Sequence, residues 1–270
     1  MHPILFHIGP ASSGFTVHTF GLLLVIAFVA GILRALSAAR RREAVTGISP
    51  DNLLDTAVWT IIIGIIGARL AFVLIGWDDF KSQPWTIFQI WQGGISFHGG
   101  LFAGLAALIY CCRKRSLNVL EMSDLFAPSV MLSYAIGRIG CFFNGCCYGA
   151  PTTMPWAVRF DDNGVWTAPS HPTQIYSSLM SFAFFGLLVR MERHRTFRGQ
   201  LASIYLMLAA TERFIMEIWR AGITSSGGAF GLTEVQILCI GIFALGSVGA
   251  IVLPRCSRNR AATAAIAGAQ

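Results

Sequence analysis

Charged residues are scarce in this sequence of 270 residues, because Asp, Glu, Lys and Arg together make up only 12% of it. A soluble domain usually carries about 25% charged residues, and 54% of this chain is hydrophobic. The composition excludes an ordinary soluble domain and indicates a chain that lies largely within a bilayer. The net charge of +7 does not indicate a nucleic-acid-binding face, because the basic residues form short clusters between apolar runs.

Three further features are missing, and each argues against a class of protein. The first 15 residues lack a basic start and a small-residue cleavage site, so no secretory signal peptide is expected. The seven cysteines include no C-x-x-C pair, which a membrane thiol oxidoreductase would normally use. No inverted repeat is apparent, which counts against an organic-anion transporter. These last two functions remain the alternatives to the one developed below.

Seven apolar runs are long enough to cross a bilayer as helices, at roughly 20 residues per crossing. They cover 19–38, 54–77, 93–112, 120–141, 172–190, 200–219 and 230–253. The predicted fold class is therefore an all-α polytopic membrane protein with seven transmembrane helices, which form a single integral membrane domain over residues 1–270.

The basic residues alternate between the loops. The loops after the first, third, fifth and seventh runs account for 14 of the 20 Lys and Arg, and the loops between them for three. Cytoplasmic loops carry the excess of positive charge. The pattern predicts an N-terminus outside the cytoplasm, a C-terminus inside it, and an outer loop region over 141–171.

The remaining basic residues, Arg69, Arg138 and Arg213, lie within the second, fourth and sixth runs. An arginine at the centre of a membrane helix costs ~2.5–3.5 kcal/mol on insertion scales. Their presence indicates either an anionic ligand or internal carboxylate partners. The acidic residues available nearby are Asp124, Glu212 and Glu217.

Two motifs place polar groups at the outer ends of the runs. In "GRIGCFFNGCCYG", 137–149, glycines permit close backbone approach around Arg138, and Asn144 can both donate and accept hydrogen bonds. This combination predicts a phosphate cradle. In "GGISFHGG", 93–100, His98 lies between glycine pairs that would clear space for a substrate. An imidazole can act as a general base near neutral pH, although a structural histidine is the alternative.

A third motif, "HPTQIYSSL", begins the fifth run at the same level of the membrane. It contributes His171, Gln174 and Tyr176, of which Tyr176 could equally be an interfacial anchor. Together the three motifs predict recognition of a phosphate-bearing lipid with a base nearby.

"GGISFHGG", "GRIGCFFNGCCYG", "HPTQIYSS" and "ERFIMEIWR" follow one another in the order and spacing of one family. From about residue 15 to 253 the chain resembles the bacterial prolipoprotein diacylglyceryl transferases. The resemblance implies transfer of diacylglyceryl from phosphatidylglycerol to the lipobox cysteine thiol of a prolipoprotein signal peptide, with release of glycerol phosphate. It also implies a multi-pass protein of the bacterial inner (plasma) membrane, with membrane lipids as neighbours, a periplasmic outer side, no metal or organic cofactor, and no nucleic-acid partner.

The resemblance also implies roles for individual residues. The expected catalytic residues are His98, as the base, and Arg138 and Arg213, which hold the departing phosphate. The expected phosphatidylglycerol-binding residues are Arg138, Asn144, Gly149, Arg213, Glu217 and Arg220. Further candidates for the site are Arg69, His171, Gln174 and Tyr176.

Four positions depart from the pattern of the family. Cys141 replaces an asparagine, Cys146 and Ser177 each replace a glutamate, and Phe20 stands where a tyrosine is usual. Functions assigned to those side chains cannot be carried over. Cys141 and Cys146 could form a disulfide on the oxidising side of the membrane or remain buried thiols, and the sequence leaves both open.

Overall fold

The computed structural model describes the backbone of residues 4–8, 15–81, 83–89, 93–162, 165–220 and 231–267. Eight α-helices occur in these ranges: α1 (Thr19–Thr46), α2 (Pro50–Ile75), α3 (Trp77–Phe80), α4 (Phe97–Lys114), α5 (Val119–Asn144), α6 (Thr173–Glu192), α7 (Gln200–Arg220) and α8 (Glu234–Ala267). Two short antiparallel hairpins join β1 (Ile4–Ile8) to β2 (Phe15–His18), and β3 (Asp161–Asp162) to β4 (Val165–Trp166). The helical class is confirmed, and the hairpins are additions that the sequence analysis did not predict.

Each predicted apolar run lies largely within one long helix. Among the described residues, five helices are long and apolar enough to cross a membrane, namely α1, α2, α5, α6 and α8. The helix α4 falls short because the two basic residues at its end lower the mean hydropathy of its 18 residues, and α7 because it carries four charged residues in its second half. The structure therefore supports a multi-pass membrane protein, whereas the count of seven spans stays a prediction.

Residues 35–122 form one compact unit, in which α2 and α4 approach closely through small residues. A methyl group added at Gly67 would lie 2.1 Å from the Cβ of Ala103, and one at Gly99 would lie 2.5 Å from the carbonyl oxygen of Gly67. Small residues allow helices to pack backbone to backbone where no hydrophobic effect drives association. Gly99, which follows His98, therefore serves helix packing, and its contacts do not support the expectation that it clears space for a substrate.

Residues 1–34 and 123–270 form the second compact unit. Its buried cluster joins Ala127 and Met131 of α5, Leu188 of α6 and Leu201 of α7. Helix α8 packs on α7 at Gly246, where an added methyl group would lie 2.7 Å from the carbonyl oxygen of Ser203. This unit holds most of the polar residues singled out above.

Asp124 occupies the start of α5 and organises the beginning of α7. Its carboxylate accepts hydrogen bonds from the backbone nitrogens of Gly199 (2.8 Å) and Ala202 (2.9 Å), and it forms a buried ion pair with Arg195 at 2.9 Å. Asp124 thus caps a helix N-terminus, a position that favours negative charge. Asp124, one of the acidic residues considered as partners for the arginines and the one that shares a run with Arg138, pairs with Arg195 instead.

We expect Asp124→Ala to lower the free energy of unfolding by about 3–5 kcal/mol, because it breaks the buried ion pair with Arg195 and removes the cap of α7. The control is Asp78→Ala, which breaks an exposed pair with Lys81 and should cost at most about 1 kcal/mol. Denaturant unfolding in detergent micelles measures both. Equal losses in the two variants would contradict the assigned role of Asp124.

Candidate functional site

Arg138 lies near the end of α5 and is buried, with 8% of its surface exposed. Its Nε donates a hydrogen bond to the Ser177 hydroxyl of α6 at 3.0 Å. No described residue accepts a hydrogen bond from either of its terminal nitrogens. A guanidinium has five N–H donors in a planar fork, so most of the donors of Arg138 are available to another acceptor.

A buried carboxylate, that of Glu212, lies on the far side of Ser177 from Arg138. Ser177, which accepts from Arg138, donates in turn to one oxygen of Glu212 on α7, and the Tyr134 hydroxyl donates to the other oxygen at 3.3 Å. Helices α5, α6 and α7 each contribute to this chain of hydrogen bonds. Ser177, which stands where the family pattern has a glutamate, thus links Arg138 to Glu212: its hydroxyl accepts from Arg138 and donates to Glu212.

The helix α5 ends in a Schellman motif directly above Arg138. Gly145, with φ of +74°, donates its N–H to the carbonyl of Phe142 at 3.2 Å, and Cys146 donates to the carbonyl of Cys141 at 3.2 Å. This pair of bonds defines the motif and favours glycine at the left-handed position. Asn144 is the last residue of α5 and its side chain is exposed.

The loop that follows is fixed by residues at the start of α6. Thr173 Oγ1 donates to the carbonyl of Cys147 at 2.9 Å, and Gln174 Nε2 donates to the carbonyl of Cys146 at 2.7 Å. Both side chains are fully buried. Gln174, predicted as a candidate contact for a ligand, therefore holds the loop in place.

Gly149 lies where the backbone of this loop packs closely against the start of α6 and the end of α7. Its N–H donates to the carbonyl of His171 at 2.9 Å, and the next residue, Ala150, donates to the carbonyl of Trp219 at 2.7 Å. A methyl group added at Gly149 would lie 2.7 Å from Thr173 Cγ2 and 2.8 Å from the Trp219 carbonyl oxygen. Only a residue without a Cβ fits between the start of α6 and the end of α7.

Aromatic side chains surround the same loop. The Tyr176 hydroxyl accepts a hydrogen bond from Trp156 Nε1 at 2.6 Å and lies 3.4 Å from His171 Nδ1. The ring of Trp219 lies 5.5 Å from that of Tyr176 and 6.5 Å from that of His171. His171 and Tyr176 are thus part of an aromatic cluster whose polar tips contact one another.

Helix α7 brings three charged residues to one side. Arg213, Glu217 and Arg220 follow at spacings of four and three, which places neighbours on one helical face. Arg213 Nη1 lies 2.7 Å from the Glu217 carboxylate, so Arg213 has the internal partner that the sequence analysis left open. Arg220 ends the helix.

The three cysteines of the loop are free thiols, and their sulfurs lie within 4.8 Å of one another. The pKa of the Cys147 thiol is held below its ordinary value, first by hydrogen bonds to its sulfur from Cys141 and Cys146 and then by the nearby charges of Arg138 and Arg220, which together outweigh burial. Cys147 also adopts φ of +65°, which is unusual for a residue with a side chain. The arrangement contains no Cys141–Cys146 disulfide.

Arg69 lies in the other unit, and each of its three guanidinium nitrogens donates to a backbone carbonyl. The carbonyl oxygens of four residues accept from its guanidinium, namely Thr86, Ile87, Gly93 and Gly94. Its guanidinium carbon also lies 5.8 Å and 5.5 Å from the ring centres of Phe72 and Phe80. This arginine anchors the segment between α2 and α4, so we leave it out of the proposed substrate site.

His98 occupies the first turn of α4, in the same unit as Arg69. Its side chain is exposed, and its ring lies edge-on to that of Phe97 at 5.7 Å. Ser96 caps the helix by accepting from the backbone nitrogen of Gly99 at 3.5 Å. The imidazole is therefore accessible and is not engaged by a described hydrogen bond.

Sequence reasoning missed several residues that build the site. Ser177 and Tyr134 complete the hydrogen bonds of Arg138 and Glu212, and Thr173 fixes the loop. A signal existed for Ser177, since it follows Gln174 by three residues and shares its helical face. Tyr134 precedes Arg138 by four residues, a spacing that also places the two on one face.

A groove of about 720 Å³ lies on the loop between α5 and α6. It is lined by Pro151, Thr152, Thr153, Met154, Ala157, Ala168 and Pro169. Because no charged side chain lines it, this groove does not provide a site for an anion.

Long apolar helices with two arginines, Arg69 and Arg138, buried among them define an integral membrane protein. The prolipoprotein diacylglyceryl transferase family matches residues 3–252 of the chain. The phosphatidylglycerol–prolipoprotein diacylglyceryl transferase of Gloeobacter violaceus is 34% identical over 269 residues, which cover 96% of each chain. The enzymes of the same name from Finegoldia magna and Nitratidesulfovibrio vulgaris are 33% and 34% identical, over 87% and 90% of this chain and 90% and 91% of theirs.

The chain therefore belongs to the prolipoprotein diacylglyceryl transferase family. It is a transferase and a multi-pass membrane protein, and the resemblance stated from its motifs is confirmed.

We expect Gly149→Ala to lower the free energy of unfolding by about 1–3 kcal/mol, since overpacking a fixed site forces backbone shifts. The control is Gly186→Ala on α6, where an added methyl group meets nothing within 4 Å and better helix propensity should leave stability unchanged or slightly raised. Thermal unfolding in micelles compares the two. A Gly149 variant as stable as the wild type would mean that the loop is not held as described.

Proposed function

We propose that this chain transfers the diacylglyceryl group of phosphatidylglycerol to the lipobox cysteine thiol of a prolipoprotein, the first step of lipoprotein maturation. Besides family membership, the observation that carries the proposal is the guanidinium of Arg138. It is buried at the end of an apolar helix, and its terminal nitrogens have no hydrogen-bond partner among the described residues. A phosphate oxygen is the acceptor that such a fork fits best.

The reaction is an alkyl transfer from oxygen to sulfur. The thiol sulfur forms a bond to a glycerol carbon while the bond between that carbon and the phosphate oxygen breaks. The electron pair leaves with glycerol phosphate, and the thiol proton passes to a base. Two groups are therefore required: one that accepts the proton and one that stabilises the charge gained by the departing phosphate.

We assign the second requirement to Arg138. Ser177 holds its Nε, so the face that carries the terminal nitrogens is oriented before a substrate arrives. A donor fixed in advance loses little entropy on binding, and in a site that excludes water its charge is poorly screened. Glu212 partly balances the guanidinium through Ser177 and leaves its terminal nitrogens free for the lipid.

Arg213 and Arg220 add positive charge along α7, and we propose that they contact the same phosphate group. Glu217 holds Arg213 in place without enclosing it, because 29% of the Arg213 side chain remains exposed. Asn144 and Gly149 complete the proposed lipid site, Asn144 through its exposed amide and Gly149 by keeping the loop closed. His171 and Tyr176 support the loop from its aromatic side.

We assign the base to His98, on the resemblance and on its accessible imidazole. For the topology, we propose seven transmembrane helices. Two of these, α4 and α7, are shorter or more charged than the others, and we attribute this to the site residues that they carry. The N-terminus would then lie in the periplasm, the C-terminus in the cytoplasm, and the whole chain in the bacterial inner membrane.

We expect Arg138→Ala to slow transfer by about 10²–10³-fold, the usual cost of removing one fixed donor to a developing oxyanion. Arg138→Lys should also be slow, because a point charge lacks the planar fork. The assay supplies phosphatidylglycerol and a lipobox peptide in reconstituted membranes and measures the mass of diacylglycerol added to the peptide.

The matched control for this experiment is Arg190→Ala, since Arg190 is exposed at the other end of α6. It should transfer at the wild-type rate. Wild-type turnover by Arg138→Ala, in protein that unfolds at the normal temperature, would overturn the assignment.

We expect His98→Gln to lose most of its activity near neutral pH, because glutamine cannot accept the thiol proton. The control His194→Gln changes an exposed histidine after α6 and should be neutral. The measurement is the transfer rate between pH 6 and 9. If His98→Gln keeps the full rate at neutral pH, the imidazole is not the base.

A further inference from the structure

The cluster of Cys141, Cys146 and Cys147 is not used by the proposed transfer reaction. Its three sulfurs lie within 4.8 Å of one another. Three thiolates bound to one cation at about 2.3 Å would be separated by about 3.8–4.0 Å. Small side-chain rotations would therefore bring the sulfurs to the spacing of a common metal ligand set.

The backbone fixes these positions independently of any cation. In a Schellman motif, the side chain three residues before the C-cap commonly contacts the side chain two residues after it. The C-cap here is Asn144, so the contacting pair is Cys141 and Cys146. Cys147 turns towards the same point through its left-handed backbone conformation, which costs roughly 1–2 kcal/mol for a residue other than glycine. A site held by its surroundings binds without an ordering penalty.

The loop cannot easily relax away from this arrangement. The carbonyls of Cys146 and Cys147 accept hydrogen bonds from Gln174 and Thr173, both of which are buried on α6. The strain at Cys147 is therefore sustained by the surrounding contacts, as strained residues at functional positions usually are.

The local charge favours an anionic metal complex. Arg138 lies in electrostatic range of Cys141 and Cys147, and Arg220 in range of Cys147. Three thiolates and a monovalent cation carry two negative charges, which two guanidinium groups balance. Among the described residues no histidine or carboxylate joins the cluster, so this part of the chain offers three sulfurs as ligands.

We propose that Cys141, Cys146 and Cys147 form a binding site for one soft, thiophilic cation, with Cu(I) as the ion that fits best. All-sulfur ligand sets select soft ions. A structural zinc site normally has four protein ligands, whereas Cu(I) needs no fourth. Binding forms three copper–sulfur bonds and releases three thiol protons to water, and no electron is transferred. The cation takes no part in the transfer of diacylglycerol.

The test uses the full-length protein in detergent, purified with a reductant and stripped with a chelator. Cu(I) is titrated in the presence of bathocuproine disulfonate as a competing ligand. We expect one equivalent of competition-resistant Cu(I) and an X-ray absorption spectrum with three sulfur neighbours at about 2.2–2.3 Å. Excess Zn²⁺ should not displace the copper.

Variants separate this cluster from the other cysteines. Cys141→Ser/Cys146→Ser/Cys147→Ser should bind Cu(I) at least tenfold more weakly, because it lacks all three sulfur ligands and even the loss of a residue that only supports a ligand costs about 10–100-fold in metal affinity. The controls Cys239→Ser and Cys111→Ser/Cys112→Ser should bind as the wild type does. Should the triple variant fail to fold, Cys146→Ser alone leaves the backbone of the turn unchanged and serves the same comparison.

Three results would overturn the proposal. The first is equal Cu(I) binding by the wild type and the loop variants, which means an adventitious ion only. The second is binding of Zn²⁺ but not Cu(I). The third is isolation of the protein from cells with two of these cysteines joined in a disulfide, detected as a mass lower by two hydrogens. None of these results depends on the transfer assay, so the site and the proposed function can fail separately.

Discussion

The structure depends on a guanidinium that is buried with only part of its hydrogen bonding satisfied. A cation in an apolar helix is costly unless it is paired, and Arg138 is paired indirectly. Ser177 accepts from its Nε and transmits the interaction to Glu212, while Tyr134 completes the carboxylate. The charge is balanced well enough for the helices to pack, and the terminal nitrogens remain available for an anion.

The loop after α5 converts this charge into a defined site. Gly145 allows the turn of this loop, and Gly149 lets its backbone pass between α6 and α7. Thr173 and Gln174 donate hydrogen bonds to its carbonyls. These residues are needed for the shape of the loop, whether or not they contact a ligand. The loop contacts the end of α5, the start of α6 and the end of α7. A small shift of one of these helices would therefore change the position of the arginine side chains that the others carry.

The long apolar runs were sufficient to predict the helices, and the order of the motifs was sufficient to predict the family. The partners of the arginines could not be predicted in the same way. Arg69 finds backbone carbonyls that lie 17 to 25 residues ahead in the chain, and Asp124 finds Arg195 at a separation of 71. Sequence proximity suggested Asp124 for Arg138, whereas tertiary packing joined Arg138 to Ser177. Hydrogen-bond partners in a bundle follow from helix packing, which a single sequence does not specify.

The charge of the site couples the binding of the two proposed ligands, the lipid phosphate and the cation at the cysteines. Arg138, Arg213 and Arg220 carry three positive charges against the two negative charges of the buried carboxylates Glu212 and Glu217, so these side chains leave the site positive before a ligand binds. That balance suits a phosphate. Three thiolates around a monovalent cation would add two negative charges beside Arg138 and Arg220 and reverse the balance. Because coupling between two ligands is reciprocal, a cation that weakened phosphate binding would itself be bound less tightly when phosphate is present.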